Sequence, residues 1–326
     1  MQIDPQIGAL RGDHAAQRAM QRAVADAMAQ CRHDPALSPV LTDLEAYGTG
    51  VPLSDCTHLA ALFAAEGSPR KAIEPFVRRL VTLQRAYPLA LLAFRHQSGA
   101  GFHFLQIAGK GRATLGLALH EGGPHFAAPT TATFSDAERH EAVLAGEAEI
   151  SMLEIARENG EHAMIVEHRR QVSTGTIFTC SGRKQSRIVR SLASRLLVLR
   201  LARTGEEMLP ARQFALPSGR LVHRACGDRR ESRHEMMLTL LGRMGRRDAA
   251  PLLADLAVQD GPGGEQFRWQ ALRECLALDA AAGFRALSSI AEVPADPLAW
   301  PAQELRTNLV QTHPQLAELE PAPCLA

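Results

Sequence analysis

Lysine is scarce in this 326-residue chain: Lys71, Lys110 and Lys184 are the only three, so the other 33 of its 36 basic residues are arginines. Together with heavy alanine use, this bias reads as that of a GC-rich bacterial genome, a matter of codon usage rather than of binding chemistry. Aromatic residues make up only 5%, so stacking platforms for single-stranded nucleic acid are nearly missing. Six cysteines (31, 56, 180, 226, 275 and 324) are dispersed without a CxxC pair, which removes support for a zinc ribbon or a thioredoxin-like motif. They read as reduced thiols of a cytosolic protein. No GxxxxGK[ST], GxGxxG or GxSxG stretch occurs, so neither a phosphate loop nor a nucleophile elbow is expected. No run approaches the roughly 18 uncharged apolar residues of a membrane span. The opening MQIDPQIGALRGDHAAQ lacks the basic start and apolar run of a signal peptide. These absences predict a cytoplasmic protein with no membrane partner.

Hydrophobic residues at 46% and charged residues at 22% predict a packed core. The length predicts two or three domains. The formal net charge of +1 gives no reason to expect nucleic acid as a partner. Between Gly182 and Arg247 there are 16 basic and 5 acidic residues, but Phe214 is the only aromatic there. That stretch spans several elements and reads as a solvated charged surface or as a contact for an acidic protein.

Periodicity divides the chain. Residues 1–86 read as helical; Ile73, Phe76, Leu80 and Leu83 share one face of a helix opened by Ser68-Pro69. From Pro88 to about Ala202, short apolar runs alternate with turns such as Gly109-Lys110-Gly111 and Asn159-Gly160. The runs are LALLAFRH (89–96), GFHFLQIAG (101–109), ATLGLALH (113–120), EAEISMLEIA (147–156), HAMIVEH (162–168), GTIFTC (175–180) and SRLLVLRLA (194–202). This pattern predicts a β-sandwich or barrel over 87–204. Residues 205–229 read as a connector that could hold one more hairpin. Helical periodicity returns over 230–326 and repeats: Leu238, Leu241, Met244, Leu253 and Leu256 recur 34 residues later as Leu272, Cys275, Leu278, Leu287 and Ile290. Two helices at this period resemble HEAT repeats, which implies a short α-solenoid and a surface for a protein partner. The predicted class is therefore α+β multidomain.

Two stretches carry a second resemblance. Arg139-His140-Glu141-Ala142-Val143-Leu144-Ala145-Gly146-Glu147-Ala148-Glu149-Ile150 resembles the VLxGExE turn of the first cupin motif, and Gly175 to Cys180 is similar to the glycine-led strand of the second. The resemblance covers about 115 residues and implies a double-stranded β-helix barrel, which in many cupins holds a divalent metal through histidines and a glutamate. It also implies a possible homodimer. At the positions of the family's ligands, however, stand Arg139, the histidine-free stretch Ala132 to Ser135, and Ser186; Ser181 takes the place of the proline. An arginine in that shell would set like charge against a metal and cannot deprotonate. No cofactor is therefore expected. Arg139 and Ser186 are instead candidate ligands for a small anion, since a guanidinium in a barrel mouth suits carboxylate or phosphate. The plainer reading of Arg139 is a solvated strand residue.

Two readings of function follow. One is a non-catalytic or accessory protein, binding a small ligand in the barrel and a protein partner through its helices, or serving as a regulatory module of a larger complex. The other is a metal-dependent oxygenase or isomerase with displaced ligands, for which His120, His125 and His140 are the candidates. Cys180 could be a nucleophile beside a histidine, but reads more simply as a small buried hydrophobe.

Overall fold

The computed structural model describes residues 7–8, 14–99, 101–123, 126–180, 182–207, 209–225, 227, 229–259 and 264–319. The chain forms two compact units, Met1–Arg224 and Ala225–Ala326. Among the described residues, no helix is long and apolar enough to cross a membrane.

The first unit opens with α1 (His14–Arg32), α2 (Ser38–Thr49), α3 (Thr57–Ala61) and α4 (Pro69–Ala86). Proline at the start of α4 leaves no orphan N–H, and its buried Ile73, Phe76, Leu80 and Leu83 fall at helical spacing. Of these, Ile73, Phe76 and Leu80 join Leu44, Tyr47 and Leu59 in one core with Leu115, Leu117, Leu199 and Leu201 of the β-domain. The helices therefore cover one face of the sheet.

The β-domain is an antiparallel sandwich built from β1 (His96–Gly99), β2 (Phe102–Lys110), β3 (Ala113–Glu121), β4 (Thr131–Phe134), β5 (Ala137–Glu158), β6 (Ala163–Ser173), β7 (Ile177–Cys180), β8 (Gln185–Thr204), β9 (Ala211–Ala215) and β10 (Leu221–Ala225). The large sheet runs β1-β2-β3-β8-β5-β6, with β7 beside the first half of β5; the small sheet runs β10-β9-β4. Strands β9 and β10 come from the stretch read as a connector. The run 89–96 enters the sheet only at His96, because Leu92 and Phe94 pack on the helical core instead. Phe94 meets the Phe76 ring edge-on at 5.6 Å.

Strand β5 is continuous over 22 residues, but it bends. Register shifts flank Val143–Ala145 and Gly146–Ala148 opposite β8. Gly146 sits at the bend with φ +89°, and a Cβ there would run into the Arg195 carbonyl oxygen. Only glycine satisfies both constraints.

The second unit holds α5 (Arg229–Arg243), α6 (Ala250–Val258), α7 (Glu265–Leu278), α8 (Ala280–Ala291) and α9 (Ala299–Thr312). Leu238, Leu253, Leu272, Cys275, Leu278, Leu287 and Ile290 share its core. The 34-residue correspondence is incomplete: Met244 is 58% exposed whereas Leu278 is buried.

Gly146→Ala is expected to destabilise the first unit by about 1–3 kcal/mol or more, from left-handed strain plus the clash. Urea unfolding checks this; a loss below about 0.5 kcal/mol would show that the bend accepts a side chain.

Candidate functional site

Alternate residues of a strand line one face of the sheet. On β5 this puts Arg139, Glu141 and Val143 on the inner face, away from the helices. Glu141 stands between Phe178 on β7 and Arg200 on β8. It is only 3% exposed. Its Oε1 accepts from Arg200 Nε at 2.5 Å and from Arg187 Nη2 at 2.9 Å. Arg187 Nη2 also lies 2.7 Å from Oε2. Burial pushes this carboxyl up, but the charges and hydrogen bonds of Arg187 and Arg200 outweigh it and hold the pKa down at about 2.

His120, on β3, faces the same space, with its ring 5.0 Å from that of Phe102. Burial first, then the charges of Arg187 and Arg200, hold its pKa down at about 3. The imidazole is thus neutral near pH 7. Its Nε2 lies 3.4 Å from Arg187 Nη1, which places that nitrogen as the acceptor.

Arg139 adds a third guanidinium. Its Nη2 donates to Ser135 Oγ at 2.5 Å. Among the described residues, no carboxylate lies within ion-pair distance of it. Burial, then the Arg200 charge, draws its pKa down, yet a guanidinium stays protonated at any physiological pH.

Arg139, Glu141, Arg187 and Arg200 line a cavity of about 280 Å³, whose walls also include Thr131, Thr133, Phe178, Cys180, Ser186 and Ile188; His120 stands behind Arg187. Three guanidiniums there face one carboxylate. Ser186 shares the cavity with Arg139, but its hydroxyl donates to the Thr133 carbonyl oxygen at 2.7 Å. Its proton is therefore committed to the backbone and is not available to an anion. Cys180 is buried; burial and then Glu141 push its thiol up, which opposes formation of a nucleophilic thiolate.

The three candidate metal-binding histidines are not brought together. His140 faces the helices, with Nε2 3.0 Å from Glu138 Oε1 and its ring 6.0 Å from that of Phe63. His120 lies on the opposite face, and His125 lies outside the described residues. Among the described residues, no three His, Cys, Asp or Glu side chains are placed to hold one ion.

The partners Arg187 and Arg200 escape a reading by motif. The signal available was phase: Arg200 interrupts an apolar run with the parity of Leu196 and Val198, both fully buried on the inner face. Glu141 likewise shares the parity of Arg139.

No protein-family model matches the chain, and no curated protein matches it. Partial structural likenesses exist. KdgF from Halomonas sp. is 16% identical, with 35% of this chain and 91% of that one covered at a TM-score of 0.25. The Drosophila melanogaster CENP-C cupin domain is 12% identical, with 35% and 76% covered at 0.27. Against CapF with 3-isopropenyl-tropolone, at 10% identity and a TM-score of 0.27, the chain spans only 31% of the other protein's length. At such scores the likenesses say nothing of what this chain binds.

Glu141→Gln leaves Arg187 and Arg200 facing each other and is expected to cost roughly 3–5 kcal/mol in denaturant unfolding; a loss under about 1 kcal/mol would show that the carboxylate is dispensable. Acid adds a second test. His120 and Glu141 both have folded pKa values below their ordinary 6.5 and 4.5. Each stabilises the fold above its ordinary value, and that contribution is lost as pH falls toward about 3 and about 2 respectively. His120→Asn should therefore flatten the decline of Tm between about pH 6.5 and 4.5; unchanged slopes in thermal scans would contradict the buried neutral imidazole.

Proposed function

We propose that the β-domain is a cupin-like binding barrel that holds a small anion in the cavity beside Arg139, and that the protein is accessory rather than catalytic. One observation carries this reading: Arg139 borders the cavity with, among the described residues, no carboxylate in ion-pair distance, next to a carboxylate already shared by two arginines. An ionised group of either sign is costly to hold out of water unless it is paired. A bound carboxylate or phosphate would supply the missing charge and accept from a fork that matches it in shape. The cupin-like reading is supported by Gly146, the glycine of the VLxGExE stretch, at the bend of the longest strand. The accessory reading is supported by the chemistry at the cavity and just behind it: Glu141 and Cys180 of its wall, and His120 beside Arg187, are all displaced away from neutral pH, so none is poised for general acid–base exchange there.

The helical unit is the proposed HEAT-like partner surface. Met236, Met237 and Leu240 of α5, and Met244 just after it, are each more than half exposed. Methionine-rich apolar stripes adapt to protein partners.

Titration calorimetry with inorganic phosphate and with acetate tests the binding reading. Arg139→Gln is expected to weaken whichever anion binds by about tenfold or more, the value of a charge-assisted hydrogen bond. Its Tm should hold or rise, because the lost charge is one that burial disfavours. Equal affinities for wild type and variant, or no anion bound by wild type, would overturn the proposal.

A further inference from the structure

The three arginines of the cavity are not equivalent. Arg187 is committed: its Nη2 is bound to Glu141 and its Nη1 faces the His120 Nε2. Its side chain is 7% exposed. Arg200 gives only Nε to Glu141. Its guanidinium plane lies near the Phe102 and Phe104 rings, with centroids 6.0 and 5.9 Å away. Both of its Nη groups lack a hydrogen-bond partner among the described residues, and its side chain is 22% exposed. Arg139 gives only Nη2, to Ser135, so its Nε and Nη1 are likewise unclaimed among the described residues.

Strand register brings these two free forks together. Arg139 pairs with Ala202, and Glu141 pairs with Arg200. Arg139 and Arg200 are thus diagonal neighbours on one face of adjacent antiparallel strands, about 7–8 Å apart at the backbone and well within reach for long side chains. Glu141 with Arg187 makes an internally balanced pair. The remaining excess of two positive charges resides on Arg139 and Arg200, which repel one another.

Resting on the anion-binding reading, we infer that the ligand is a compact dianion bridging Arg139 and Arg200. Two guanidiniums with two unclaimed nitrogens each match either one tetrahedral oxyanion or two carboxylates. A monoanion would leave one guanidinium unbalanced. The size agrees: a cavity of about 280 Å³ has room for an inorganic oxyanion or a short dicarboxylate.

The test pairs dianions with monoanions of like geometry or like group at constant ionic strength. Tetrahedral sulfate is compared with tetrahedral perchlorate, and the dicarboxylate malonate with the monocarboxylate acetate, by calorimetry on the full chain. For wild type, at least one dianion is expected to bind about tenfold or more tightly than its monoanionic match. A preference confined to sulfate assigns a tetrahedral oxyanion, and one confined to malonate assigns a dicarboxylate; both support the inference. Arg139→Gln should bring the ratio to within about threefold, and Arg139→Lys, which keeps charge but not the fork, should fall between. Equal wild-type affinity for dianion and monoanion, with both weakened in Arg139→Gln, would overturn the dianion while leaving the anion-binding reading intact. No binding by wild type would overturn both. The wild-type ratio decides the question even if a variant fails to fold.

Discussion

A carboxylate almost wholly withdrawn from water, gripped by two arginines, organises the inner face of the β-domain. Glu141 lies on the central strand β5, and both of its guanidinium partners lie on β8, at opposite ends of that long strand. Without Glu141, two arginines would point into a sheet interior with nothing to balance them. Without the arginines, the carboxyl would have to take up a proton to stay buried. Each is tolerable only because of the other, the usual condition for charge in a protein interior. Burial, together with these charges, keeps a nearby histidine neutral and a thiol protonated, and a third arginine is left over.

The same logic repeats elsewhere in the β-domain and accounts for part of the basic stretch. Arg190 bonds Glu167 and the buried Ser151 hydroxyl. Arg203 reaches Glu138 at 2.9 Å and stacks over the Tyr47 ring at 4.0 Å. Arg212 pairs with Glu158. Arginine suits these seats because its fork meets two acceptors and its plane meets an aromatic face, which lysine cannot match. Several charges that read in sequence as a solvated surface are thus internal cross-links between strands, or between strand and helix.

The periodic parts of the molecule were legible from the chain alone. Spacing of Ile73, Phe76, Leu80 and Leu83 marked a helix and its buried face, and the turn glycines marked the strands. The bend glycine Gly146 was visible as part of a motif, while its reason, an opposing carbonyl on β8, was not. Of the site, Arg139 could be singled out because it occupies a motif position. Arg187 and Arg200 could not, since they stand in no motif and their meaning depends on which face each strand turns inward. Bulges between β5 and β8 shift that phase, so counting alternation along the sequence does not settle it. Ser186 shows a related limit: its place is near Arg139, but a backbone carbonyl on another strand had already taken its proton.

The segment from Glu138 to Glu141 works on two fronts. Glu138 and His140 fasten the helical layer, through Tyr47 on α2 and through Phe63. Arg139 and Glu141, their immediate neighbours, face the cavity. Because the two tasks interleave residue by residue, inserting or deleting a single amino acid here would exchange them at a stroke, turning the cavity's charges onto the greasy helices and the helix fasteners into the hollow. Length in this short segment is therefore a fixed quantity, whatever freedom its individual letters retain.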